Sequence, residues 1–225
     1  MRPWRDQFLQ EILRLEGLGG RSLQCTVCSG SASFRCQDCF GLDLFCQDCL
    51  LEIHARQPCH RVEVCICLPY ILSFVLTPSR QRWNGNYFQK ECLAALGLVL
   101  QLGHPVGRAC PHPTGPHQFT LFDLTGVHQV VIRYCLCFPE DSMYRRRQLL
   151  RMAWFPATLI RPHTVFTFRL LDFFHQLQSQ NKTNLYDFYN TIVRLCDSAC
   201  LSPEIVSSTH WFIIVFIFLF TISIL

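Results

Sequence analysis

Apolar residues recur with a helical beat at the start of the chain, where Trp4, Phe8, Leu9, Ile12, Leu13 and Leu15 mark one face. They predict an amphipathic helix over 4–16, stopped at Glu16-Gly17, with Gly17, Gly19 and Gly20 as a flexible lead. Leu42, Leu44 and Phe45 have the spacing of a short hairpin strand ahead of Cys46. From Val64 to Gln81 the chain is apolar but has neither a helical nor a strand period. Asn84-Gly85 reads as a turn. Phe88, Cys92, Leu93, Leu96, Val99 and Leu100 then predict a helix over 86–102, weakened by Gly97 and stopped by Gly103 and Pro105. A loop rich in Pro, Gly and His covers 105–117. Alternation next predicts two strands. Phe119 and Leu121 share one face of the first, Val130, Ile132 and Tyr134 one face of the second, and Thr125-Gly126 makes the turn. Arg145–Ala153 reads as a short helix and Trp154-Phe155-Pro156 as a break. A helix over about 164–178 is apolar nearly all round, the mark of a helix buried in a core or against a partner. Asn184 caps a last helix running to about Asp197, with Asp187 near the capping-box position. Trp211–Leu225 is near-continuous hydrophobe, but its 15 residues fall short of the roughly 17–25 of a spanning helix.

Composition narrows this picture. Half of the 225 residues are hydrophobic, enough for a real core in one or two domains. There are 15 cysteines, an odd number, and the N-terminus carries charges where a secretory signal would be apolar. Both features point to a reducing compartment with metal-bound thiolates rather than a disulfide framework. The formal charge is +4. Bound thiolates lower it, since a four-thiolate zinc site carries about −2 and a two-thiolate, two-imidazole site about 0. The chain as a whole lacks the bulk basicity that drives nucleic-acid binding. Arg145-Arg146-Arg147 is the only dense basic run and reads as a solvated helix start.

The chemistry concentrates in Cys25–His60, CTVCSGSASFRCQDCFGLDLFCQDCLLEIHARQPCH. Three Cys-x-x-Cys pairs, Cys25/Cys28, Cys36/Cys39 and Cys46/Cys49, precede His54 and His60. Each pair is half a tetrahedral site, because the turn lets two thiolates reach one ion. The eight donors therefore suffice for two zinc ions. Metal binding supplies about 10–16 kcal/mol per structural site, which so short a segment cannot find in its core. Sequential use would group Cys25/Cys28/Cys36/Cys39 and Cys46/Cys49/His54/His60. Interleaved use would group Cys25/Cys28/Cys46/Cys49 and Cys36/Cys39/His54/His60. Cys59 is a spare thiol that could replace His60. Further on, Cys135 and Cys137 form a tight chelate that makes a third candidate zinc site with Cys110 and His104. His112, His117 and His128 are alternatives to His104. Cys65 and Cys67 are weaker ligand candidates, lacking flanking turn residues.

The order and spacing of the first cluster resemble a B-box, a cross-braced two-zinc module, and that resemblance favours the interleaved grouping. The chain from about 4 to 197 resembles the CxC-like (second type) cysteine cluster domain associated with KDZ transposases of fungal mobile elements. The matching pieces are FLQEILRLEG, the Cys25–His60 cluster, CHRVE, WNGNYF, LGLVLQLGH with Cys110, DLTGVHQVVIRYCLC, QLLRMAWFPAT with RPHTVFTF, and NKTNLYDFYNTIVRLCD. In that family the domain precedes an RNase H-like catalytic region, so the resemblance implies a truncated chain ending before it. In the family CHRVE runs almost directly into WNG. Removing Val64–Gln81 restores that junction, so this stretch reads as a translated, unspliced intron, and the tail after about Val206 does likewise.

The expected fold is α+β, a small zinc-stabilised cross-brace module followed by a β-hairpin and a helical region. The segments are 1–24, helix and glycine lead; 25–63, the two-zinc module; 64–81, the apolar insert; 82–140, helix plus hairpin with the CxC cluster; 141–200, helical; and 201–225, the tail. The expected function is that of a non-catalytic zinc-binding accessory domain of a KDZ transposase-derived protein, docking to transposon DNA or to a protein partner. The expected compartment is nuclear or cytoplasmic. The alternatives are a B-box-like protein-interaction module unconnected with transposition, or a protein anchored to a membrane by its tail. An enzyme is disfavoured. Asp123 could start a two-metal carboxylate site, but Glu140, Asp141, Asp172, Asp187, Asp197 and Glu204 read as loop, solvent-face and cap residues.

Overall fold

The computed structural model describes residues 3–66, 87–138, 143–158, 161–181 and 183–196. The apolar tail, Cys67, Asn84-Gly85 and most of the 64–81 insert lie outside these residues. The chain is α+β and divides into two compact units, 1–54 with 60–96, and 55–59 with 97–225. Among the described residues, no helix is long and apolar enough to cross a membrane.

The first unit is built on a four-stranded antiparallel sheet in the order β2-β1-β3-β4. Its strands are β1 (Phe34–Cys36), β2 (Leu44–Phe45), β3 (Val62–Ile66) and β4 (Tyr87–Glu91). Helix α1 (Pro3–Glu16) enters the unit through its C-terminal end, where the buried Arg35 guanidinium donates to the carbonyls of Leu15 and Gly17 at 2.8 and 3.3 Å. Arg35 also pairs with Glu63, its cross-strand neighbour, at 2.7 Å. Both are almost wholly out of water, so the carboxylate has to be matched, and the arginine matches it while holding α1. Helix α2 (Gln47–His54) comes directly after β2 and turns Leu50 and His54, four residues apart, into the interior.

Two readings of the sequence change here. Val64, Cys65 and Ile66, which show no period in the sequence, lie in β3, paired with β4, and Val62 to Cys65 are all buried, so no alternation marks the strand. The predicted helix over 86–102 is replaced by β4, a run of turns and a further strand at Val99–Gln101. A helical bond from Leu96 N–H to the Cys92 carbonyl at 3.1 Å lies within the turns. Pairing with β3 outweighs a helical apolar pattern too short to win alone, and Gly97 at φ +103° takes the backbone out of the helical region.

The second unit has a mixed five-stranded sheet ordered β5-β7-β6-β9-β8. The strands are β5 (Val99–Gln101), β6 (His117–Asp123), β7 (Gly126–Arg133), β8 (Trp154–Pro156) and β9 (Thr164–Thr167). β6 and β7 are the predicted hairpin, with Phe119, Leu121, Val130, Ile132 and Tyr134 all buried. On one side Phe122 and Phe166 stack at 5.0 Å between centroids and meet helices α4 (Phe168–Asn181) and α5 (Leu185–Cys196). Leu170, Phe174, Phe188, Ile192 and Val193 complete that core. Elsewhere Tyr134 packs against Tyr144 of helix α3 (Tyr144–Arg151). Asn184 caps α5, its Oδ1 accepting from Tyr186 N–H at 3.0 Å.

The expected helix from 164 is a strand and then a helix. Thr164, Val165, Phe166 and Thr167 are all buried in β9, where β-branched side chains pack well. The expected break at 154–156 is the edge strand β8, too short to show a period. α4 is not buried all round, since Phe168 and Phe173 are exposed.

Asp123, fully buried at the end of β6, ties these elements. It accepts from the Thr167 hydroxyl at 2.6 Å, the Thr125 hydroxyl at 2.9 Å and Arg169 Nε at 2.6 Å. Burial pushes its carboxyl up, but the bonds from Arg169, Thr167 and Thr125 outweigh burial and hold it below the usual carboxylate range. Its contribution to stability is therefore complete above about pH 4 and is lost as pH falls through the depressed value. Asp123→Asn removes the charge that matches the buried donors and costs on the order of 3 kcal/mol. Urea unfolding checks this: the midpoint falls for the variant at neutral pH, and the gap between variant and wild type closes in acid.

Candidate metal centres

The fold gathers twelve Cys and His side chains into three sets: Cys25, Cys28, Cys46 and Cys49; Cys36, Cys39, His54 and His60; and His104, Cys110, Cys135 and Cys137. Within each set the donor atoms all lie within 4.8 Å of one another.

The first two sets interleave along the chain because the β-sheet does. The first knuckle closes on itself through Cys25 N–H to the Gly30 carbonyl at 2.7 Å. It is pinned to β2 through Thr26 N–H to the Leu44 carbonyl at 3.0 Å. β2 leads straight into Cys46 and α2, so Cys46 and Cys49 arrive beside Cys25 and Cys28. Meanwhile β1 ends at Cys36, and the turn after it presents Cys39. α2 brings His54 to that pair, and the segment entering β3 brings His60.

Distances test what such sets can hold. A tetrahedral ion bound at about 2.3 Å to sulfur and about 2.05 Å to nitrogen has S···S edges of about 3.8 Å and S···N edges of about 3.5 Å. The Cys28–Cys46 sulfurs are 3.7 Å apart and those of Cys110 and Cys137 3.8 Å. Cys39 Sγ lies 3.6 Å from His54 Nε2 and 3.4 Å from His60 Nδ1, and Cys36 Sγ is 3.4 Å from the same Nδ1. In the third set His104 Nε2 is 3.2 Å from Cys135 Sγ and 3.5 Å from Cys137 Sγ. The sulfur separations are far beyond the roughly 2.05 Å of a disulfide, and the described cysteines are free thiols. The three sets could each hold a metal ion.

Neighbouring groups prepare the donors. His54 Nδ1 donates to the Leu50 carbonyl at 2.8 Å, one turn back on α2, which leaves Nε2 with its lone pair facing Cys39. Burial, with the charge of His60 adding to it, lowers the His54 pKa and keeps the ring neutral. Burial pushes the Cys25 thiol up, but backbone N–H bonds at Cys28, Cys46 and Val27 outweigh it and bring the thiol down to about 6. Burial, joined by the neighbouring Cys39, pushes Cys36 up to about 12, so loading a cation there must displace a proton. Asp38, between Cys36 and Cys39, accepts from Arg61 N–H at 2.6 Å and from its guanidinium at 2.6 Å, fixing the residue next to His60.

The third set is assembled from separate loops. β5 runs parallel to β7, and Leu102 N–H reaches the Arg133 carbonyl at 2.8 Å, which delivers His104 beside Cys135. The loop carrying Cys110 folds back against the end of β7. Thr114 N–H donates to the Tyr134 carbonyl at 2.9 Å and Leu136 N–H to the His112 carbonyl at 2.8 Å. Gln148 of α3 clamps Cys135: its Oε1 accepts from Cys135 N–H at 2.9 Å and its Nε2 donates to the Cys135 carbonyl at 2.8 Å.

The other candidates fall elsewhere. Cys59 and Cys65 are buried and belong to none of these sets, and His60 rather than Cys59 completes the second. His117 packs on Tyr134 at 5.6 Å, and His128 Nε2 sits 2.9 Å from the Thr125 hydroxyl. Asp38, Gln148 and Gly103 escape a reading of the sequence. No motif announces them, because each acts through a neighbour brought close by pairing distant in sequence.

Residues 93–200 match the family described as CxC2 like cysteine cluster associated with KDZ transposases. The matched segment contains the whole third donor set, β5 to β9 and α3 to α5; the first two sets lie outside it. No curated protein and no solved structure matches the chain.

Gly103 provides a direct check on the third set. It sits at φ +82°, and a Cβ there would lie 2.6 Å from Cys135 Cβ and 3.1 Å from Gln148 Oε1. Gly103→Ala therefore strains the backbone and pushes Cys135 away from His104. Metal analysis of the purified variant is expected to find one ion fewer per chain than wild type.

Proposed function

We propose that this protein is a non-catalytic, zinc-binding accessory module of a KDZ transposase-related protein, and that its work is docking to DNA or to a protein partner. The observation that carries this reading is the presence of three Cys/His sets, each with four donors near tetrahedral spacing. Thiolate and imidazole donors in that geometry suit Zn²⁺. Four protein donors leave no coordination position for water or substrate, so the ions cross-link the chain instead of activating a reactant. Asp123, the one carboxylate with a claim to two-metal chemistry, is taken up by Arg169, Thr167 and Thr125. Free thiols fit a reducing compartment, nuclear or cytoplasmic.

One observation favours the protein-partner form. α1 exposes Trp4, Phe8, Leu9, Ile12 and Leu13, each about half accessible or more. So large an apolar stripe, on a helix that Arg35 anchors at its C-terminal end, suits insertion into an apolar groove of another protein.

The test is metal content. Purified protein is expected to carry three zinc ions per chain, and Cys110→Ser to carry two. A chelator strong enough to strip zinc is expected to abolish the circular-dichroism signature of the first unit. Protein that holds no metal when freshly purified under reducing conditions, or that keeps its fold after stripping, would sink the reading.

A further inference from the structure

We infer that the outward face of α3 is the contact surface for the phosphate backbone of duplex DNA, an inference that rests on the docking function proposed above. The whole formal charge of +4 lies in one unit. Residues 55–59 and 97–225 hold eleven Lys and Arg against seven Asp and Glu, whereas the rest of the chain holds nine against nine. Zinc thiolates sharpen the contrast, since the first two sets would subtract about two charges and the third about one.

Within the basic unit the charge is focused on α3, Tyr144-Arg-Arg-Arg-Gln-Leu-Leu-Arg151, which has no acidic residue. Gln148 and Leu149 are its buried side. Arg147 and Leu150 lie opposite that side, with the exposed Arg151 and the half-exposed Arg146 flanking them, while Arg145 lies over the rings of Tyr134 and Tyr144 at 5.9 and 5.5 Å. Among the described residues neither Arg146 nor Arg151 forms an ion pair. Guanidinium forks suit phosphate oxygens, and Arg146 to Arg151 spans about 7.5 Å of helix, roughly two nucleotide steps of one strand at 3.4 Å each.

The face is also held rigid. Gln148 fastens α3 to Cys135 by two hydrogen bonds, so the donor set of His104, Cys110, Cys135 and Cys137 is the anchor of the basic surface. An ion there orients the arginines without touching DNA.

The test uses the full chain and a fluorescein-labelled duplex of arbitrary sequence, with anisotropy read across a potassium chloride series. Wild type is expected to bind with log K falling steeply in log salt. The triple variant Arg146→Gln/Arg147→Gln/Arg151→Gln is expected to lose at least about ten-fold in affinity and to have a salt slope smaller by roughly 2–3, while keeping wild-type metal content. Arg5→Gln/Arg14→Gln in α1 serves as the charge control and is expected to leave the slope unchanged. Gln148→Leu, with the arginines intact, is expected to weaken binding as well. An unchanged slope in the triple variant, or an equal loss in the α1 control, overturns the assignment. Wild type that holds its ions yet binds no duplex at about 50 mM salt, or that pellets with phosphatidylserine vesicles instead, also overturns it and leaves the metal-stabilised docking module standing. Absence of metal defeats the proposed function itself.

Discussion

Sulfur and imidazole donors that converge to the edge lengths of a tetrahedron are the constraint on which the first unit depends. Its sheet has strands of two to five residues, and its longest helix is solvent-exposed along its length. Among the described residues its buried apolar side chains include Phe34, Leu44, Phe45, Leu50, Val62, Val64 and Leu93. Strands this short contribute little hydrophobic free energy each, at about 25 cal/mol per Å² buried. The buried Arg35–Glu63 pair adds specificity of register rather than net stability. The two donor sets take Cys36 from β1, Cys49 and His54 from α2, and the rest from the segments around them, so ions bound there would cross-link these elements.

The second unit rests on a different balance. Its five-stranded sheet carries an aromatic core of Phe122, Phe166, Phe174 and Phe188, so apolar burial is a larger part of what holds it. Asp123 supplies the polar knot at one end, and the His104 set closes the other loops around β7. Metal in this unit would shape a surface more than it would support a core. That difference explains why α3, the most basic helix, can be both rigid and exposed.

The two units also show why chain averages mislead. Net charge over 225 residues is modest. Divided at the boundary between units, it becomes one neutral body and one basic body. The arginine run at 145–147 looks like an ordinary solvated helix start until Gln148 and Leu149 are seen to face inward, which leaves Arg147 and Arg151 exposed, Arg146 half-exposed and Arg145 over the rings of Tyr134 and Tyr144.

How much could be read beforehand depended on the range of the physics. The Cys-x-x-Cys knuckles, the β6–β7 hairpin, α1 and the Asn184 cap are local: thiol spacing, two-residue alternation, helical period and a side chain two residues from its partner. The amino-acid sequence by itself determined these. Where 87–101 and 164–167 go was decided only in three dimensions, because a short apolar run satisfies a helix and a strand equally until a partner strand offers its hydrogen bonds. The partition of the donors was likewise a tertiary matter. Sequential and interleaved groupings use the same eight residues at the same spacings. The bond from Thr26 to Leu44 brings the first knuckle to the third pair, and the strand register of β1 on β3 draws His60 to the second.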